Sequence, residues 1–170
     1  ETRHTSYLKI SEGCDHTCAF CAIPLMRGLH RSQPVDELVR EAAGLHAAGV
    51  QEINIVSQDT TWYGRDRMRG SGEKGGGLPD LLGALLRGTS IPWFRLFYIY
   101  PSGITRAFVD LLAQEGRLLP YLDMPIQHGS DRILELMRRP ERQASIRERV
   151  SWLREAVPGL TLRTTVLVGF

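Results

Sequence analysis

Lysine is nearly missing from this sequence. Of 21 basic residues only Lys9 and Lys74 are lysines, and the other 19 are arginines. Against 19 acidic residues the formal charge is +2, too small a surplus to indicate a nucleic-acid partner. Arginine grips carboxylates and phosphates bidentately, so the bias suits an anionic partner, but a genome-wide codon bias leaves the same composition. No run of 18 apolar residues occurs, which excludes a membrane-spanning helix. The first residues, Glu1-Thr-Arg-His, are not followed by the apolar core of a signal peptide, and a cytoplasmic location with no membrane partner is expected. Nor is there a starting methionine, and the chain stops at Val168-Gly-Phe170, where a strand meets a turn. Both ends read as cuts within a longer protein. Cysteine is scarce, and all three lie at positions 14, 18 and 21. An odd number packed into eight residues is poor material for disulfides, and a metal in a reducing compartment suits it better.

What is present is an ordinary globular mixture, 42% hydrophobic and 24% charged, over 170 residues that fit one domain. Strand and helix patterns alternate throughout. Strands are expected at 5–10, 53–56, 94–99, 120–124 and 160–168. Pro34, with Asp36 and Glu37 in the first turn, opens a helix that Gly49 stops. Leu78, Leu81, Leu82, Leu85 and Leu86 mark a second helix. Thr105 caps a third, with Phe108, Leu111 and Leu112 facing inward. A fourth begins at Ser130 or Asp131 and is interrupted by Pro140, and a fifth carries Ile146, Val150, Leu153 and Val157 on one stripe. Residues 64–77 hold six glycines and read as a surface loop.

Such alternation predicts right-handed βαβ units and a parallel sheet, either doubly wound or part of a β/α barrel. We expect strand order 1-2-3-4-5, an open arc with helices outside. In both architectures chemistry collects at the C-terminal ends of strands. The unusual polar segments obey that rule: the cysteine loop, Ser57-Gln-Asp-Thr60, Tyr100-Pro-Ser-Gly103 and Gln127-His-Gly-Ser130 follow successive strands.

Cys14-Asp-His-Thr-Cys18-Ala-Phe-Cys21 is a C-x3-C-x2-C loop, whose spacing lets three thiolates meet one metal centre. Soft thiolates select zinc, copper or iron–sulfur. A structural zinc needs a fourth ligand, which His16 can offer, but such sites usually draw paired cysteines from two segments. Three thiolates on a four-iron cluster leave one iron open for a ligand. The spacing favours the cluster and leaves zinc as the alternative.

With Phe20 at the aromatic position, this loop after a first barrel strand resembles the radical S-adenosylmethionine (SAM) superfamily. Further segments narrow the likeness: Ile10-Ser-Glu-Gly-Cys-Asp-His-Thr-Cys18, Cys21-Ala-Ile-Pro24, Arg27-Gly28, Ser57-Gln-Asp-Thr-Thr-Trp-Tyr-Gly64 and Pro125-Ile-Gln-His-Gly-Ser130. These resemble the methylthiotransferases, and among them those that modify an aspartate of a small-subunit ribosomal protein rather than a tRNA adenosine.

The resemblance implies the fold and the cofactors. The fold is a partial (β/α) barrel of the radical SAM type, cut after its fifth strand, with residues 1–170 as the core domain. Cys14, Cys18 and Cys21 would hold a 4Fe–4S cluster whose free iron takes SAM. Phe20, Ser57, Gln58, Asp59, Gln127, Ser130 and Arg163 are the expected SAM contacts. The alternatives are an Asx-turn at Asp59, a helix N-cap at Ser130, and a surface charge at Arg163. The implied partners are the ribosomal protein and an electron donor such as flavodoxin or ferredoxin. The family also has an N-terminal domain with a second cluster and a C-terminal substrate module. Neither is in this sequence, so these residues alone are expected not to complete methylthiolation. His16 and His128 read as loop hydrogen-bonders, and Trp152 as core.

Overall fold

The computed structural model describes residues 4–67 and 76–170. Much of the expected glycine-rich loop, at 68–75, lies outside them. Strand β1 (Thr5–Lys9) leads into a small antiparallel ribbon, β2 (Ser11–Glu12) and β3 (Arg31–Ser32), with the short helix α1 (Ile23–Arg27) between its arms. There follow α2 (Val35–Ala47), β4 (Glu52–Val56), α3 (Leu78–Gly88), β5 (Trp93–Leu96), α4 (Arg106–Gln114), β6 (Leu118–Asp123), α5 (Asp131–Leu136), α6 (Gln143–Ala156) and β7 (Thr161–Arg163).

The five long-range strands form one sheet in the order β1-β4-β5-β6-β7, every pair parallel. This is the expected order of consecutive strands. Leu8, Ile53, Ile55, Phe94, Leu96 and Leu122 belong to one buried core with Leu38 and Ala42 of α2, Leu81, Leu82 and Leu85 of α3, and Phe108 and Leu112 of α4. Alternation puts Glu52 and Asn54 on the opposite face of β4. In the paired register Asn54 stands beside Tyr7 and Arg95. Arg95 Nε donates to Glu52 at 2.6 Å, and its guanidinium lies 4.8 Å from the Tyr121 ring. One face of the sheet is therefore apolar and covered by helices, and the other mixes polar side chains with the rings of Tyr7, Trp93 and Tyr121.

Strand ends depart from expectation for local reasons. β5 stops at Leu96 because Tyr98 takes a φ of +56°, although Ile99 N–H still reaches Asp123 O at 2.9 Å. β7 is shorter than the expected 160–168. Past Arg163, the Thr164 side chain takes over the ladder, accepting from Ile126 N–H and donating to Met124 O, and a lone bridge joins Gln127 to Val166. The ribbon and α1 carry no periodicity and escaped the sequence reading. Trp152 is half-buried and packs against the core, held between the guanidiniums of Arg106 and Arg149 at 3.8 and 3.9 Å.

Candidate functional site

The cysteine loop is a closed hairpin on the ribbon. Gly13 turns into it with φ +76°, and a Cβ there would stand 2.2 Å from Leu29 O. Only glycine fits both the angle and the approach. Cys14 N–H then donates to Gly28 O at 3.0 Å, and His30 N–H to Asp15 Oδ1 at 2.7 Å. Ala19 N–H donates to Met137 O, pinning the loop tip to the end of α5.

All three cysteines line one cavity of about 440 Å³ at the C-terminal rim of the sheet. Cys14 and Cys18 are buried and Cys21 is exposed, and none forms a disulfide. Burial, aided by the charge of Asp59 and the neighbouring sulfurs, pushes the Cys14 thiol up to about 11. Metal-free, it keeps its proton at neutral pH, and a metal must displace that proton.

The same cavity is lined by Phe20, Ser57, Gln58 and Gln127, together with Tyr98, Pro125 and Thr165. Ser57 Oγ and Gln58 Oε1 are buried and have no hydrogen-bond partner in the protein. Both residues line the cavity, with these two oxygens beneath its surface. Gln127 is turned by a φ of +68°, an uncommon conformation outside glycine. Phe20 meets Phe170 edge-on, with ring centroids 6.4 Å apart.

The other expected contacts stand elsewhere. Asp59 forms the Asx-turn, its Oδ1 accepting from Thr61 N–H at 2.9 Å and Thr61 Oγ1 at 2.6 Å, while Oδ2 lies 2.7 Å from His16 Nε2. Ser130 occupies the N-cap of α5 without a side-chain cap bond, and its N–H donates to His128 Nδ1 at 2.9 Å. Arg163 pairs with Asp123 at 3.2 Å, and 60% of its side chain is exposed. None of these three residues lines the cavity.

Both histidines are therefore loop hydrogen-bonders. His16, the fourth ligand a zinc site would need, holds Asp59 and stacks on Tyr100 with centroids 4.2 Å apart.

Sequence reasoning placed Tyr100 on the rim but gave it no role. Its hydroxyl lies 3.1 Å from Cys18 Sγ. Burial holds this phenol well above its ordinary range, and Arg139 beside it only partly opposes that. The Arg139 guanidinium covers the ring at 3.7 Å and pairs with Glu141 at 3.1 Å, both side chains buried. Its position after a strand was a signal for Tyr100; Arg139 and Glu141, flanking Pro140, gave none.

Fold and site together define a β/α core of parallel strands whose rim carries a three-thiol loop. Solved structures share the architecture. TsrM, a radical S-adenosylmethionine methyltransferase from Kitasatospora setae with cobalamin and a [4Fe-4S] cluster bound, superposes with a TM-score of 0.68 at 16% identity, covering 98% of this chain and 31% of that one. The cobalamin-dependent S-adenosylmethionine radical enzyme OxsB, with aqua-cobalamin and S-adenosylmethionine bound, gives 0.72 at 12% identity, over 97% of this chain and 24% of that one. At such identities the likeness is one of fold.

In sequence, residues 8–170 match the Radical SAM superfamily, and the chain belongs to it. It is 49% identical over 166 residues to a protein of Desulforudis audaxviator named ribosomal protein uS12 methylthiotransferase RimO, covering 98% of this chain and 36% of that protein. It is 48% identical over 169 residues to the protein of the same name from an Anaeromyxobacter species, covering 98% and 34%. The chain thus spans about a third of the length of the curated relatives it matches. Among the described residues no helix is long and apolar enough to cross a membrane.

Proposed function

We propose that residues 1–170 are the radical SAM core of a cytoplasmic methylthiotransferase that modifies an aspartate of ribosomal protein uS12. The observation that carries the reading is a convergence: three cysteines line one cavity at the rim of a parallel sheet together with Ser57 and Gln58, each of which holds a buried oxygen without a partner in the protein. Identity near one half to proteins named as uS12 methylthiotransferases supports the substrate.

Cys14, Cys18 and Cys21 would hold a 4Fe–4S cluster with one iron left open. When bound, the cluster and SAM supply one-electron cleavage of a carbon–sulfur bond and so a 5′-deoxyadenosyl radical. The chain's own work is to bind, orient and exclude water. Ser57 Oγ and Gln58 Oε1 can accept from an ammonium group, and Gln127, which lines the same cavity, offers a further amide. Phe20, Ile23, Tyr98 and Pro125 supply apolar lining that keeps water from the reacting atoms. Asp59 acts behind the wall, fixing His16 and the turn after β4. The electron comes from a small carrier such as flavodoxin or ferredoxin.

Anaerobic reconstitution with iron and sulfide tests the metal. About four irons from this site and a brown charge-transfer band are expected, and Cys18→Ala should lose them. One zinc per chain, colourless, or full iron in Cys18→Ala overturns the assignment. Mass spectrometry of uS12 after incubation with the full-length enzyme, SAM and reductant tests the substrate. A methylthio group on tRNA instead of uS12 overturns that part.

A further inference from the structure

We propose that Tyr100 is a positioning residue for the metal-bound sulfur of Cys18: its phenol donates a hydrogen bond to Sγ and raises the reduction potential of the cluster held there. This rests on the reading of Cys14, Cys18 and Cys21 as cluster ligands. The two atoms are 3.1 Å apart, and with a free thiol either can donate. A ligating cysteine has lost its proton. The phenol is then the one member of the pair with a hydrogen to give.

The donor is held in place from both sides. His16 stacks on the Tyr100 ring at 4.2 Å with an interplanar angle of 3°, and the Arg139 guanidinium lies 3.7 Å from the ring centroid. Two groups this near would collide on one face, so they occupy opposite faces. Each is anchored in turn. Asp59 holds His16 Nε2 at 2.7 Å. Arg139 pairs with buried Glu141, and its Nη2 donates to Pro125 O at 3.1 Å. The loop after Tyr100 is also clamped: a Cβ on Gly103 would come within 1.8 Å of Thr61 Oγ1, whose hydroxyl donates to Asp59. Asp59, His16, Tyr100 and Cys18 thus form a continuous chain from the turn after β4 to the cluster loop. Locking a donor in this way sets its geometry before the charge arrives.

Hydrogen bonds to cluster sulfurs are among the determinants of potential. A reduced cluster carries more negative charge on sulfur, so a fixed donor stabilises that state more than the oxidised one. A ring that merely filled space would affect folding and iron loading but leave the potential of a loaded cluster unchanged.

The test is a redox titration, followed by electron paramagnetic resonance, of the anaerobically reconstituted full-length protein without SAM. This cluster's signal is identified as the one that Cys18→Ala removes. Tyr100→Phe keeps the ring and its stack but removes the donor, and should lower the midpoint potential at unchanged iron content. Site-specific 3-fluorotyrosine at position 100 acidifies the phenol and should shift the potential the opposite way. An unchanged potential in loaded Tyr100→Phe overturns the inference and leaves the cluster assignment standing. If that variant fails to load, the fluorotyrosine protein decides alone: a raised potential supports the inference and an unmoved one overturns it. Wild-type protein that takes up no iron at these cysteines overturns the cluster reading and the inference with it.

Discussion

Gly13→Ala is the sharpest test of how the cysteine loop is held. The backbone at Gly13 has φ +76°. A residue with a Cβ pays roughly 1–2 kcal/mol for that region. The new methyl would also meet Leu29 O at 2.2 Å, Leu29 C at 2.6 Å and Gly28 O at 2.7 Å. All three are backbone atoms, so no side chain can swing aside. The two arms of the hairpin must separate, and the bond from Cys14 N–H to Gly28 O is the first to go, at about 1 kcal/mol. Together these give about 2–3 kcal/mol, or roughly a 30- to 150-fold fall in the ratio of closed to open loop. Cluster loss through the open loop should accelerate by a similar factor. The assay is the anaerobic rate of iron transfer to a chelator. Gly49→Ala is the control, since Gly49 has φ +92° but nothing within 4 Å of its would-be Cβ. It should show the cost of the angle in thermal stability and leave iron transfer unchanged. If Gly13→Ala loses iron no faster than Gly49→Ala, the steric account of the loop is wrong.

Two further predictions concern stability. Arg117 donates to Ile91 O and Leu86 O at 2.7 Å each and to Thr89 O at 2.8 Å, satisfying carbonyls around the end of α3. Arg117→Ala should cost about 2–4 kcal/mol in urea denaturation, with Arg117→Lys recovering only part, because an ammonium cannot reach all three carbonyls. His30 is buried, and that burial pulls its pKa below the ordinary imidazole value despite nearby Asp66 and Asp15. Between the folded pKa and about 6.5 the unfolded chain binds more protons, so stability rises with pH there. Denaturation across a pH series should show the full His30 contribution above about pH 6.5, a decline below it and a plateau beneath the folded pKa. His30→Gln should remove that component, and an unchanged profile in the variant would refute it.

The order of the sheet was legible because it depends on a property that sequence displays directly. Apolar runs such as Ile53-Asn-Ile-Val56 and stripes such as Leu78, Leu81, Leu82 and Leu85 alternate along the chain, and βαβ handedness leaves few ways to connect them. Strand ends were less legible, because they turn on single residues. Tyr98 leaves the ladder by a positive φ, and the Thr164 hydroxyl substitutes for backbone partners of β6. Neither event has a compositional mark. The ribbon has only two residues in each arm, too few to show an alternation.

At the site, residue type was legible and engagement was not. The three cysteines stand out by their spacing, and they line one cavity with Ser57 and Gln58. Asp59 is the next residue, and by charge alone it is the best partner for an ammonium. It is turned away because a carboxylate leaving a strand can close on the N–H two residues ahead, and the Thr61 hydroxyl adds a second bond to the same oxygen. The stronger acceptor is thereby committed to the scaffold, while the weaker neighbours, with no local bond to make, stay available for a ligand. Tyr100 shows the converse. It lies 82 residues from Cys18, and nothing in its own segment says that a sulfur will meet its hydroxyl. Asp59 contributes to that meeting through His16. The carboxylate orients the ring that faces Tyr100, which in turn meets the Cys18 sulfur.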